Sequence, residues 1–178
     1  MNYNQVIGID PGVTGGIAII KNNAISIHKM PTHAIEVNGK NRNETDIGFL
    51  QDLLLKSSVG NSPIVFIEKV NPRPSDATEA NNRQFQIARM LANYEVLKTV
   101  VKIFKFPLVE VPPRTWQDYL RLVKKGEEQK DRKNRYKRYA SQLIGRDATL
   151  WNADAICIAQ FGNLKVQRDI AWINERIN

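Results

Sequence analysis

Three short apolar runs stand within the first thirty residues, and the brevity of the breaks between them constrains the fold more than any other feature of the chain. Gln5-Val6-Ile7-Gly8-Ile9-Asp10 is rich in β-branched residues and stops at Pro11-Gly12, a strong turn signal. Gly15-Gly16-Ile17-Ala18-Ile19-Ile20 resumes the pattern, and after Asn22-Asn23 the segment Ala24-Ile25-Ser26-Ile27-His28 alternates apolar with polar. Three strands joined by such tight turns form an antiparallel meander.

Beyond the meander the chain alternates between helix and strand. After a polar stretch over 33–45, the apolar spacing of Asp46–Leu55 suits a helix. Pro63-Ile64-Val65-Phe66-Ile67-Glu68 is continuously apolar until its last residue, as expected of a central strand covered on both faces. A long helix is predicted over about 80–102, then a strand at Pro107–Val111 closed by Pro112-Pro113. Further helices are predicted over about 114–121, 128–144 and 152–163, with a last one near 166–176. The order predicts an α/β fold with a mixed five-stranded sheet, its fourth and fifth strands parallel to the first. At 178 residues one domain over 1–164 accounts for the core, leaving 165–178 as a C-terminal helical extension.

Composition narrows the class. With 42% hydrophobic and 25% charged residues the chain is neither disordered nor fibrous. The single cysteine, Cys157, rules out an intrachain disulfide framework and a cysteine-rich zinc site and fits a reducing compartment. No apolar run reaches membrane-spanning length, and Met1–Gln5 lacks the features of a secretory leader, so no membrane partner is expected. The formal net charge is +8, and it is concentrated. Residues 121–138 hold nine basic side chains against three acids, leaving 17 basic and 15 acidic residues elsewhere. Such a stripe suits a phosphate backbone, although a solvated helix face would look the same.

Three acids occupy costly positions. Asp10 and Glu68 each terminate an apolar strand, and Asp154 shares a helical face with Ile158 and Phe161 at i+4 and i+7. If the first and fourth strands are neighbours, Asp10 and Glu68 emerge side by side and the last long helix brings Asp154 against them. Carboxylates gathered this way repel one another, and burial makes the repulsion worse, so a partner cation is required. Oxygen donors without histidine or cysteine suit Mg²⁺ or Mn²⁺, and two such ions sharing Asp10 would serve phosphodiester hydrolysis. Each acid also has a plain explanation: a turn residue at Asp10, a rim charge at Glu68, and a first-turn helix acid at Asp154.

The residues carry a family resemblance. Val6-Ile-Gly-Ile-Asp-Pro-Gly-Val-Thr-Gly-Gly-Ile-Ala resembles the opening of RuvC-type Holliday-junction resolvases, especially their phage and organelle relatives, where a pair like Met30-Pro31 also follows the third strand. Ile64–Glu68 is similar to that family's second acidic strand, Val111-Pro-Pro-Arg-Thr-Trp-Gln to the segment before its basic helix, and Ala153–Ala159 to its final acidic helix. The resemblance spans residues 5–162 and implies a ribonuclease H-like fold, a homodimer, and Mg²⁺-dependent nicking of a four-way DNA junction. It implies Asp10, Glu68 and Asp154 as metal-binding catalytic acids and Lys133 as the active-site lysine, with Lys130 as the alternative. Lys133 also extends the inner stripe of Tyr136, Ala140, Leu143 and Ile144. Expected DNA contacts are Arg73, Arg83, Lys124, Lys125, Lys130, Arg132, Arg135 and Lys137. The expected compartment is the cytoplasm of a bacterium or phage-infected cell, with an organelle left open.

One position departs from the family pattern. The fourth ligand, expected three to five residues before the final acid, is replaced by Thr149, Leu150 and Trp151, leaving Asp147, Asn152 or nothing to serve. A protein that binds branched DNA without cutting it is therefore a second expectation, and a hybrid-cleaving ribonuclease a third. Residues 85–101 carry two apolar faces: Phe85, Ala88, Ala92 and Val96 on one, Ile87, Met90, Tyr94, Leu97 and Val101 on the other. The extra face fits either a symmetric dimer contact or burial under the last helices.

Overall fold

The computed structural model describes residues 2–37, 39–71 and 82–177, with side chains from residue 86 onward in the helix that opens at Asn82. In chain order the elements are β1 (Gln5–Asp10), β2 (Gly16–Lys21), β3 (Ala24–Lys29), β4 (Thr32–Val37), β5 (Lys40–Thr45), α1 (Ile47–Ser58), β6 (Pro63–Glu68) and α2 (Asn82–Ile103). They continue with β7 (Leu108–Val111), α3 (Pro113–Tyr119), α4 (Gln129–Ile144), α5 (Leu150–Arg168) and α6 (Ile170–Asn174). Five strands form the main sheet in the order β3-β2-β1-β6-β7. β1–β2 and β2–β3 are antiparallel, while β6 runs parallel to β1 and β7 parallel to β6. This is the mixed sheet expected from a meander with helix–strand alternation after it.

Both faces of that sheet are buried, which explains the unbroken apolar run at 63–67. Ile7, Ile9, Ile17, Val65 and Ile67 pack on one side against Leu50 and Leu54 of α1 and Tyr94, Leu97 and Val101 of α2. Val6, Ala18, Ile64, Phe66 and Val111 pack on the other against α5, with Trp116 of α3 and Tyr136 and Ala140 of α4 in the same layer. Each fully buried large apolar side chain contributes about 1.5–3 kcal/mol, so the two layers clamp the sheet from both sides. α5 lies closest. A Cβ on Gly8 would sit 2.3 Å from the Ala159 nitrogen, a separation no side chain tolerates. That absent side chain lets α5 rest on β1 and carry its first turns to the end of the strand.

The structure corrects the sequence reading in three places. The polar stretch over 33–45 contains a separate hairpin, β4–β5, paired antiparallel from Thr32–Thr45 to Val37–Lys40. The final helices divide differently, because α5 runs on to Arg168 where separate helices over about 152–163 and 166–176 are expected. Asp169 then caps α6 by accepting from the Trp172 nitrogen at 3.3 Å, while Lys165 donates to it at 2.7 Å. α6 buries Ile173 in the α5-side core, and Ile177 makes an antiparallel bridge to Val109. Finally, the last helices pack on the sheet face opposite α2, so they do not cover its second apolar face. Ala88 and Ala92 are exposed and Val96 is half-buried, whereas Tyr94, Leu97 and Val101 are buried on the sheet. Met90, grouped by spacing with Tyr94, Leu97 and Val101, is 41% exposed.

Candidate active site

β1 and β6 pair in parallel up to the rung Ile9–Ile67, and one residue further each strand ends in an acid. Side chains alternate across a sheet, so Asp10 and Glu68 share the α5 side with Val6 and Phe66. From α5 comes Asp154, 6% exposed, with Ile158 and Phe161 of the same stripe fully buried. Thr149 is the N-cap of α5, which places Asp154 in the second turn. It is therefore not a first-turn acid held by the helix dipole. The topology brings the three acids to one end of one layer.

Each carboxylate is held differently. Asp10 Oδ1 accepts from the Gly12 nitrogen at 3.4 Å, and Gly15 packs so closely that a Cβ there would lie 2.8 Å from the Asp10 Cγ. Glu68 Oε2 accepts from the indole Nε1–H of Trp116 at 2.8 Å. Asp154 Oδ2 accepts from Lys133 Nζ, while Asp154 Oδ1 is buried with no hydrogen-bond partner. Lys133 is 40% exposed along its side chain, so its ammonium reaches from the buried acid towards solvent. Lys130 is exposed on the same helix, and Lys133 is the lysine that meets the acids.

The electrostatics agree with that crowding. Burial, then the Asp154 charge, raises Asp10 from an ordinary 3.8 to about 6, against the opposing pull of the Gly12 N–H and Lys133. Burial and the Asp10 charge raise Glu68 from 4.5 to about 7, opposed by the Trp116 hydrogen bond. Burial works against the charge on Lys133, but Asp154, Asp10 and Glu68 together hold its pKa above the ordinary lysine value. Three acids thus face one ammonium in a buried layer, leaving an excess of negative charge. Among the described residues no three His, Cys, Asp or Glu side chains stand close enough together to grip one ion as placed. The donor chemistry nevertheless fits a hard divalent cation: oxygens alone, an orphaned buried carboxylate oxygen, and two acids that burial and mutual repulsion have made reluctant to ionise.

The remaining predicted residues fall into distinct places. Lys124, Lys125 and Lys130 are exposed, and Arg132 and Lys137 are half-buried on α4. Arg135 is committed internally, donating to the Leu122 carbonyl at 3.1 Å and pairing with Glu127. Arg73 and the side chains of Arg83 and Phe85 lie outside the described residues. Asn152 is spent on the α5 capping box, where its Oδ1 accepts from the Thr149 nitrogen at 2.8 Å. Asp147 is exposed ahead of α5. Trp151 packs towards Gly16, the residue paired with Asp10, since a Cβ at Gly16 would lie 3.2 Å from its ring. Its side chain offers no ligand oxygen. The contact that sequence reasoning missed is Trp116. Pro112-Pro113 fixes the start of α3 directly after Val111, which pairs with Glu68, and that adjacency was the available signal.

Solved structures share this fold. Thermus thermophilus RuvC in complex with a Holliday junction substrate aligns over 93% of this chain and 96% of its own, at TM-score 0.54 and 13% identity. The fold is RuvC-like. A second Thermus thermophilus RuvC structure aligns over 92% and 95% of the two chains at TM-score 0.51 and 13% identity. The yeast mitochondrial Holliday junction resolvase covers 98% of this chain with 85% of its own, at TM-score 0.49 and 14% identity. By sequence, no protein-family model and no curated protein matches. In the RuvC-like frame the β1, β6 and α5 acids sit at one end of the ribonuclease H-like sheet. Among the described residues no helix is long and apolar enough to cross a membrane.

Proposed function

We propose that the chain is a structure-selective DNA endonuclease that resolves four-way junctions by hydrolysing phosphodiesters with Mg²⁺ or Mn²⁺. The observation that carries this reading is the meeting of Asp10, Glu68 and Asp154 with Lys133 in the buried layer at the end of β1 and β6. The fold it shares with a protein solved on a junction adds support. Asp10, Glu68 and Asp154 would hold the ions, without Asn152, whose side-chain oxygen caps α5, or Trp151, which has none to offer, and with Asp147, exposed ahead of α5, as the candidate for a fourth ligand. A bound divalent cation supplies positive charge against the phosphate and lets water attack near neutral pH. Lys133 adds a second positive charge at the solvent edge of the acids, where negative charge builds on the phosphate oxygens.

Lys124, Lys125 and Lys130, exposed, and Arg132 and Lys137, half-buried on α4, would neutralise flanking phosphates, with Arg73 and Arg83 as further contacts. The open face of α2, with Ala88 and Ala92 exposed, would join two copies so that two sites address two strands. A second reading, junction binding without cleavage, is favoured by Trp151 standing where a fourth ligand is expected.

Incubation of the purified protein with a synthetic four-way junction and Mg²⁺ separates these readings. Paired nicks from wild type and none from Asp10→Asn, with junction binding retained in both, support the resolvase. Binding without nicks supports the second reading. Neither binding nor nicking overturns both, and faster cleavage of an RNA–DNA hybrid than of the junction points to a hybrid nuclease.

A further inference from the structure

Glu68 ends β6 on a side chain with three rotatable bonds, and the group that fixes them comes from α3. The Trp116 indole donates its N–H to Glu68 Oε2 at 2.8 Å, and Trp116 is fully buried. Its ring is set in turn by an edge contact with Tyr136 of α4, with centroids 5.1 Å apart and planes at 63°. Tyr136 also lies beneath Lys133, whose ammonium is 5.6 Å from the ring centroid. One aromatic pair therefore touches both halves of the site: Glu68 through Trp116, and Lys133 with its partner Asp154 through Tyr136. A buried indole needs an acceptor, and a main-chain carbonyl would satisfy a tryptophan that served the core alone. Here the acceptor is an acid proposed to bind metal.

We propose that Trp116 is a positioning residue that holds Glu68 by one carboxylate oxygen and reserves Oε1 for the divalent ion. The inference rests on the metal-dependent reading of the site and assigns Trp116 a role in it beyond packing. Partners that orient a ligand from behind are worth roughly 10- to 100-fold in metal affinity. Trp116→Phe keeps an aromatic ring against Tyr136 and removes the donor.

The test is calorimetric titration of Mn²⁺ and Mg²⁺ into metal-free wild type, W116F and E68A, beside metal-free gel shifts on a four-way junction. The expected result is an ion affinity weakened about 10- to 100-fold in W116F and at least as much in E68A, with the junction affinity of W116F within about twofold of wild type. An unchanged ion affinity in W116F, whatever its melting temperature, overturns the inference and leaves Trp116 a core residue. Should W116F not fold, the ¹⁵N–¹H resonance of the Trp116 indole decides instead. It shifts in E68A and on Mg²⁺ addition to wild type if the bond exists, and an indole unmoved by both overturns the proposal. Wild type that takes up no divalent ion and nicks no junction defeats the nuclease reading and this inference together, whereas loss of the W116F effect alone defeats only the inference.

Discussion

Asp10 and Glu68 are half-buried acids whose ionisation the fold resists. A carboxyl whose pKa is higher folded than unfolded contributes stability at low pH, and that contribution disappears as pH rises through the folded value. For Asp10 the window runs from about 4 to about 6, and for Glu68 from about 4.5 to about 7. The metal-free protein is therefore expected to lose stability between about pH 4 and pH 7, on the order of 2–3 kcal/mol of it from Asp10, as read by chemical denaturation across that range. Mg²⁺ should reverse the trend above pH 7, because cation binding favours the ionised acids. Asp10→Asn removes a charge that Glu68 opposes. The variant should be more stable than wild type by about 1–2 kcal/mol at pH 8 without metal, while cleavage falls on the order of 10³-fold. The acids were legible in the sequence because a carboxylate at the end of an apolar run is costly enough to demand a reason. The Trp116 contact was not, because an indole's acceptor is decided by side-chain torsions and by which helix end packs beside which strand.

Among the elements, α5 places the chemistry, and its seat depends on Gly8. Gly8→Ala drives a methyl into the α5 backbone at Ala159 and should cost at least about 2–3 kcal/mol in denaturant unfolding. Asn152→Ala removes half of the α5 capping box and should cost about 1 kcal/mol without weakening ion binding, which separates a cap from a ligand. The main-sheet strands were readable because their apolar periods are clear. The β4–β5 hairpin was not, since Lys40–Thr45 carries no apolar residue and periodicity has nothing to register. The overlooked signal was the Asn-Gly dipeptide at 38–39, a common hairpin turn, and Gly39 does take φ 72°. The end of α5 was likewise hidden, because a helix boundary set by Asp169 capping the next helix leaves little trace in hydrophobic spacing.

For the whole molecule, the proposed DNA binding rests on the charge asymmetry, and the proposed pairing of two copies on the open α2 face. Junction affinity should fall steeply with salt, and Lys130→Ala or Lys137→Ala should each lower the slope of log affinity against log salt by about 1. Arg135→Ala should leave that slope unchanged and lower stability instead, since this arginine ties Leu122 and Glu127 to α4. The composition revealed the basic stripe but not that one of its arginines faces inward. Asp10, Glu68 and Asp154, far apart in the chain, are proposed to hold the catalytic cation together. Anomalous diffraction from crystals soaked in Mn²⁺ locates that ion. Manganese density is expected within coordinating distance of all three carboxylates, and density that avoids them, or none at saturating Mn²⁺, removes the basis of the proposed function.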